Sequence, residues 1–332
     1  MIVFQSDEQI AVTPTSYNAQ HGSTIRTVTA DGADLRELTR AGQPPGGHAA
    51  PTWSPDGRYV VFTVFEGGPD EGIWIVRPDT MQVGPLLRRS GVFEVAFAAD
   101  GSALYAATDW LPRWTADGRR VAYLSRRGSS PGIWAIDVVS RREQQLLTIE
   151  SDTIRVSEED LQRSSVAELE LAPSTSRVVF SAFPPRSSRR AIYLTPIDRF
   201  MPRRLSDDRV SVGYPAWSPD ERHIAVEVKD GTSMQAGVLD VQTGALTRLT
   251  SERGQTWVRS WSPDGRRVVA AALRDGAWDL RWYDVATARQ KVITPPGAAN
   301  VFVRYPDWSP RGALIVFERG EVRGNIWTLT LR

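Results

Sequence analysis

The residue types that most often carry out chemistry are sparse and scattered in this sequence. It contains no cysteine, which excludes a disulfide framework, a thiolate nucleophile and a zinc–thiolate site. Its three histidines, His21, His48 and His223, show neither His-x-His nor His-Glu-x-x-His spacing. A Walker loop, a dinucleotide-binding glycine fingerprint and an EF-hand loop are also absent. We therefore expect no catalytic residue, no metal site, no cofactor and no serine-hydrolase half.

The composition describes a folded chain without a strong preference for charged partners. Of its 332 residues 41% are hydrophobic, which is enough to build a core. The 40 basic and 39 acidic residues give a net charge of +1, which does not favour nucleic acid as a partner. No stretch approaches the roughly 18 to 20 apolar residues that cross a bilayer, so we expect no direct membrane span.

One phrase recurs along the chain and provides the main structural signal. It reads Pro-x-Trp-Ser-Pro-Asp-Gly, and a short apolar run follows it. Proline and glycine suit a tight turn, because proline fixes φ and glycine accepts a positive φ. Each copy therefore predicts a β-hairpin whose first strand ends at the aromatic residue, and we expect the tryptophans to be buried at equivalent places. The clear copies contain Trp53, Trp114, Trp217, Trp261 and Trp308, and weaker copies contain Phe97 and Leu171.

A second pair of short apolar runs follows most copies, so each unit has four strands. The full-length copies at Trp217, Trp261 and Trp308 are 44 and 47 residues apart. This period predicts an all-β fold, a single β-propeller of seven or eight four-stranded blades, some of them incomplete. Seven units begin with the phrase, and the N-terminal runs offer strands for an eighth.

Three segments depart from the repeat. Phe97 and Trp114 are only 17 residues apart, so either this blade has two strands or a segment is missing near Thr108–Trp110. Residues 149–168 form an insert that reads as a loop with a short helix. The basic run Pro184–Arg190 reads as a solvated hairpin tip or, alternatively, as a contact for an anion or nucleic acid.

The Trp-Ser-Pro-Asp-Gly phrase, the downstream Ile133-Trp-Ala-Ile-Asp137 and the Leu-Thr endings resemble the TolB-like, WD40-like PD40 repeat. The propeller domains of prolyl oligopeptidase relatives and amidohydrolase-linked proteins carry the same repeat. The resemblance covers nearly the whole chain, which implies one domain over residues 1–332 with the insert at 149–168. It implies a non-catalytic scaffold of the cell envelope that binds a protein or peptide through one face or the channel mouth, as a monomer or as a subunit of a larger assembly. A periplasmic or secreted location follows from the resemblance, although Met1–Asp7 shows no leader and a cytoplasmic location stays open.

The loops that enter the innermost strand of each blade border the channel of a propeller, and here they precede the repeated phrase. Aromatic and arginine side chains are favoured at interface hot spots. The alternative is that these side chains fill the channel or pack between blades. The candidate binding residues are His48, Glu94, Trp110, Tyr214, Trp257, Arg259, Arg304 and Tyr305.

Two other functions stay open. The chain could be the accessory propeller of a hydrolase or amidohydrolase whose catalytic half lies outside it. A weaker alternative is a propeller lyase, which needs clustered metal ligands.

Overall fold

The computed structural model is an all-β ring. It describes residues 2–5, 22–54, 56–65, 68–88, 94–97, 104–107, 110–114, 120–127, 130–137, 140, 142–148, 169–173, 177–184, 186–298, 300–321 and 326–329. The predicted insert at 149–168 and the chain spacing at Thr108 lie outside these residues and stay predictions. Within the described part, the helical structure is one 3-10 turn at Gly68–Asp70.

The strands of the N-terminal half follow one another along the chain. The first three are Ile2–Gln5 (β1), Thr24–Thr29 (β2) and Leu35–Glu37 (β3). Blade 1 contains Gly47–Trp53 (β4), Val60–Phe65 (β5), Gly72–Arg77 (β6) and Gln82–Arg88 (β7). Blade 2 contains Glu94–Phe97 (β8) and Leu104–Ala107 (β9). Blade 3 contains Trp110–Trp114 (β10), Arg120–Arg127 (β11), Ser130–Asp137 (β12) and Glu143–Thr148 (β13).

The C-terminal half repeats the same order. Blade 4 contains Leu169–Leu171 (β14), Arg177–Ala182 (β15), Ala191–Pro196 (β16) and Arg203–Arg204 (β17). Blade 5 contains Ser211–Trp217 (β18), His223–Asp230 (β19), Ser233–Asp240 (β20) and Leu246–Arg248 (β21). Blade 6 contains Gln255–Trp261 (β22), Arg267–Arg274 (β23), Ala277–Asp284 (β24) and Gln290–Val292 (β25). The last strands are Val301–Trp308 (β26), Leu314–Glu321 (β27) and Ile326–Leu329 (β28).

The seventh blade joins the two ends of the chain. Its order is β26-β27-β2-β3, with β2 antiparallel to β27 from the pair Thr24–Arg319 to the pair Thr29–Leu314. Strands β2 and β3 therefore complete the last blade and do not form part of an eighth. Strand β28, which the repeat predicts as the third strand of the last unit, pairs with β1 instead. The ring then has seven described blades, and blade 7 contacts blade 1 through β4.

Blade 2 is the short unit between Phe97 and Trp114. Strands β8 and β9 pair antiparallel as a two-stranded sheet, and β10 begins the next blade. Among the described residues this unit therefore contributes a two-stranded sheet, and the alternative of a segment missing near Thr108–Trp110 stays a prediction. Strand β8 contacts both blade 1 and β10, so the ring continues through the short unit.

The repeated phrase forms the predicted turn at the end of the inner strands, which are the first strands of the blades. Gly57, Gly265 and Gly312 have φ values of 70°, 69° and 77°, and the amide of each donates to the carbonyl of the serine three residues earlier. The serine hydroxyl also holds the turn, since Ser262 Oγ lies 2.5 Å from Asp264 Oδ1 and accepts from the amide of Arg267 at 2.9 Å. The aspartates of the phrase are therefore turn residues.

The tryptophans of the phrase are buried, as predicted, wherever their side chains are described. Trp53, Trp217, Trp261 and Trp308 are 6%, 4%, 6% and 5% exposed, while the side chain of Trp114 lies outside the described part. Trp261 shows the packing: it lies in a cluster with Val258, Val268 and Tyr283, and its Nε1 donates to the carbonyl of Ala216 in the preceding blade at 2.9 Å. These residues join successive blades into one structure.

Candidate functional site

The inner strands are bulged just before the tryptophan, and the bulges set the directions of the predicted binding residues. Register shifts interrupt the pairing between Ala49 and Thr52, between Gly213 and Ala216, and between Arg304 and Asp307. Ala50, Tyr214 and Tyr305 sit in these bulges with φ values of 48°, 51° and 49°, a region that non-glycine residues rarely occupy. A β-bulge re-aims side chains and recurs beside functional sites.

The residue after each of these three is proline, and blade 6 departs from that pattern. Pro51, Pro215 and Pro306 each lie two residues before the tryptophan, and Arg259 takes this place before Trp261. A guanidinium therefore lies where the other bulged strands have an uncharged ring. The replacement of proline by Arg259 can be read from the sequence when the repeats are aligned with one another.

Three of the predicted residues form a contiguous cluster across blades 5, 6 and 7. The Arg259 guanidinium carbon lies 4.9 Å from the ring centre of Tyr214 and 5.5 Å from that of Tyr305. All three side chains are half-buried. We call this group the Tyr–Arg–Tyr cluster. Each such contact stabilises by about 0.5 to 1 kcal/mol when solvent is near, so the cluster is ordered and keeps polar groups within reach of a partner.

A buried ion pair supports the cluster from below. Arg304 and Glu318 are 2% and 0% exposed, and Arg304 Nη2 lies 2.6 Å from Glu318 Oε1. The Arg304 guanidinium also lies 4.3 Å from the ring centre of Phe302 and 5.7 Å from that of Tyr305. Burial raises the pKa of Glu318, and Arg304 and a backbone hydrogen bond from Ala50 oppose that rise. Arg304 is therefore a positioning residue and not a surface one.

The other predicted binding residues do not join the cluster. His48 is fully buried, with Nδ1 2.8 Å from Thr39 Oγ1 and Nε2 2.8 Å from the carbonyl oxygen of Pro44. Because a carbonyl only accepts, Nε2 carries the proton, and burial lowers the pKa of the ring. Trp257 is 5% exposed and stacks on Trp278 at 4.7 Å, so it packs within the blade. The side chains of Glu94 and Trp110 lie outside the described part of the chain.

Sequence reasoning missed a polar contact that links the inner strands. Asp307 Oδ2 accepts from Thr52 Oγ1 and from the amide of Trp53, both at 3.2 Å, and Oδ1 accepts from Ser260 Oγ at 3.1 Å. One carboxylate thus connects blades 6, 7 and 1. Glu170 accepts from the amide of Trp217 at 2.8 Å in the same way. The signal in the sequence is a polar residue directly before the last residue of the inner strand, Trp308 or Leu171.

The sequence also contains one Gly-x-Ser-x-Gly string, Gly128–Gly132, which bears on the expectation of no serine-hydrolase half. In a hydrolase, this serine stands on a sharp turn from a strand into a helix. Here Ser130 is the first residue of β12 and pairs with Arg127 of β11, inside the antiparallel hairpin of a blade. The serine of this string is therefore followed by a strand and not by a helix.

The described residues bring together no group of three or more side chains that could hold a metal ion. Nor does this part of the chain include a helix with the length and apolar character to cross a bilayer.

Comparisons with known proteins agree with the repeat. The TolB β-propeller domain family (PD40) matches residues 162–329, just over half of the chain. An 85-residue region is 35% identical to the Tol-Pal system protein TolB of Francisella tularensis subsp. holarctica, which covers 25% of this chain and 20% of that protein. The match therefore spans about a fifth of the length of this relative.

Solved structures show the same fold over most of the chain. A protein assigned as TolB in Agrobacterium tumefaciens superposes with a TM-score of 0.62 and 17% identity, over 92% of this chain and all of that one. TolB from Acinetobacter baumannii gives a TM-score of 0.57 and 18% identity, over 90% of this chain and 69% of that one. At these identities the likeness concerns the fold alone. Since the family match covers more than half of the sequence, the chain is a member of the TolB β-propeller domain family.

Proposed function

We propose that this chain is a non-catalytic propeller of the bacterial cell envelope that binds a protein or peptide through the Tyr–Arg–Tyr cluster. In this proposal residues 1–332 form one domain, which acts as a monomer or within a larger assembly. Family membership supports the class of protein, and the Tol-Pal name of the relative supports a periplasmic location. The cluster supports the place of binding.

The observation that carries the proposal is the position of Arg259 between two tyrosines of neighbouring blades. Arginine and tyrosine are enriched at interface hot spots, because they offer apolar area together with hydrogen-bond donors. The bulges at Tyr214 and Tyr305 hold both rings in place before a partner arrives. Such preorganisation lowers the entropy that binding costs.

The proposal can be tested by capturing partners from an envelope extract of the native cell with the tagged chain. We expect Arg259→Ala to lower the yield of the captured protein about tenfold or more, as hot-spot substitutions do. Arg259→Lys should also lose most of the yield, because it keeps the charge but not the planar stacking group. Arg266→Ala is the matched control, since this exposed arginine follows the turn at the opposite end of β22.

The result that would overturn the proposal is clear. Capture of no protein by the wild-type chain, or equal yields with Arg259→Ala and wild type, would contradict it. Thermal unfolding of each variant checks that a lost yield does not reflect a lost fold.

A further inference from the structure

A cleft of about 600 Å³ lies beside the Tyr–Arg–Tyr cluster, between blades 4 and 5. It is lined by the tip of the β15–β16 hairpin and by the start of β18. Tyr214 borders both the cleft and the cluster. A cleft of this volume suits a few residues of an extended peptide.

The rim of the cleft is basic, although the chain as a whole is nearly neutral. Arg189, Arg190, Arg209 and Lys229 line it, against Glu227 and Asp230. Asp230 already forms an ion pair with Arg248 at 2.6 Å, and Glu227 is 1% exposed. The acidic groups are thus engaged or buried, while Arg189 and Lys229 are exposed at the rim. The cleft concentrates positive charge where a ligand would enter.

Two of the basic side chains are held in place. Arg189 Nη1 donates to the carbonyl oxygen of Asp208 at 3.1 Å, which fixes the guanidinium against the loop before β18. The Arg190 guanidinium lies 5.1 Å from the ring centre of Phe183. An arginine that is fixed before binding loses less entropy for each hydrogen bond it forms with a carboxylate.

The inside of the cleft is partly apolar. Phe183, Val210 and Met234 line it, and each is half-buried. A free phosphate ion would leave these groups without a partner, whereas a peptide with acidic and aliphatic residues would cover both kinds of surface. The combination therefore favours an acidic peptide segment.

We propose that this cleft binds a short acidic segment of the partner protein, with carboxylates at Arg189 and Lys229 and an aliphatic side chain against Phe183 and Met234. The inference rests on the proposed function, and it adds the chemistry of the segment that is recognised. It also gives a role to Arg189 in the basic run Pro184–Arg190, for which the sequence left a solvated tip and a contact for an anion or nucleic acid as alternatives.

The test uses a fluorescent peptide of alternating aspartate and leucine, with binding followed by anisotropy. Alternation suits an extended segment, because successive side chains point to opposite sides. We expect the double variant Arg189→Gln/Lys229→Gln to weaken binding about tenfold, since each charge-assisted contact is stronger than a neutral one. The double variant Arg266→Gln/Arg311→Gln removes the same charge at the opposite end of the blades, and we expect it to bind like wild type.

Several outcomes would overturn the inference. Equal loss in both double variants would mean that overall charge, not the cleft, binds the peptide. Equal binding of an asparagine–leucine peptide would mean that the cleft does not recognise the carboxylates of the peptide. Displacement of the peptide by inorganic phosphate or by a single-stranded oligonucleotide would assign the cleft to phosphate chemistry. The proposed function is tested separately, because Arg259→Ala should lower the yield of the captured partner without weakening the binding of the free peptide at Arg189 and Lys229.

Discussion

The two ends of the inner strands follow different rules. At the turn that follows the inner strands of blades 1, 5 and 6, the same residues make the same contacts: Ser54, Ser218 and Ser262 lie 2.6, 2.6 and 2.5 Å from the aspartates of their own turns. At the bulge, one position holds Ala49, Trp257 or Arg304 in different blades. In one chain built from repeats, the residues that recur build the fold, and the residues that differ distinguish one blade from another.

The difference has an energetic basis. A tryptophan at the turn end is buried among apolar neighbours, so its contribution is to the stability of the ring. The Tyr–Arg–Tyr cluster is half-buried and contributes little to stability, so its residues are free to vary with function. Substitutions along the inner strands can therefore separate the two roles.

The largest effect is expected at the turn end. Trp261→Ala should lower the free energy of unfolding by about 3 to 5 kcal/mol, because it opens a cavity between blades 5 and 6. The Nε1 hydrogen bond to Ala216 is lost as well. Urea unfolding of the purified chain measures the change. Arg259→Ala, two residues away, is the control and should cost about 1 kcal/mol, so comparable losses would contradict the division between the two ends.

The next largest loss of stability is expected for the buried ion pair of Arg304 and Glu318. Arg304→Met leaves Glu318 without its cation in a dry site, and removing one partner of such a pair costs about 3 to 5 kcal/mol. We expect the double variant Arg304→Met/Glu318→Leu to regain most of this loss, since apolar residues can replace a buried pair. If the double variant were as unstable as the single one, the pair would not be the source of the effect.

The same variant should show a distinct pH dependence. Burial raises the pKa of Glu318, and the Arg304 guanidinium opposes that rise. In the single variant Arg304→Met this opposing charge is absent. A carboxyl whose pKa is higher in the folded state is protonated in both states below its unfolded pKa of about 4.3, so there it does not lower the free energy of unfolding. Stability should therefore fall as the pH rises through the folded pKa. Unfolding curves across this range, with the double variant as control, measure the slope.

A smaller effect is expected for the contact that links three blades. Asp307→Ala removes the acceptor of Thr52, of the Trp53 amide and of Ser260. The cost should be about 1 to 3 kcal/mol, because a half-buried amide loses its partner. Thr52→Val is the milder comparison, since it removes one of the three bonds. A loss for Asp307→Ala no larger than that for Thr52→Val would show that the amide contact adds nothing.

Much of the fold follows from the sequence because its local chemistry repeats. Proline and glycine at Ser262–Gly265 determine the turn, and the buried Trp261 determines which side faces the preceding blade. The closure of blade 7 by β2 and β3 could not be predicted from local patterns, since the pairing of Val28 with Ile315 joins opposite ends of the chain. Strand propensity reveals strands but not their distant partners.

The candidate site was predicted only in part, for a related reason. Tyr214, Arg259 and Tyr305 were among eight separate candidates, and they are brought together because they occupy neighbouring places in adjacent repeats. Trp257 precedes Arg259 by two residues, yet it stacks inside the blade. A bulge decides which of these side chains turns outward, and its backbone angles are not visible in residue types alone.

His48 offers the smallest test, at the start of an inner strand. It is a fully buried histidine whose pKa is lowered by burial, while the hydrogen bond to Pro44 acts in the opposite direction. The unfolded chain therefore takes up a proton more readily than the folded one near pH 6.5. Stability should be full above that pH and should fall as the pH decreases towards the folded pKa.

His48→Gln cannot titrate, so its unfolding free energy should depend less on pH over this range, whatever its absolute value. His223→Gln is the matched control, because it removes a partly exposed histidine and leaves the buried one. An unchanged slope in His48→Gln would mean that the acid sensitivity comes from elsewhere and that His48 contributes only packing at this end of the strand.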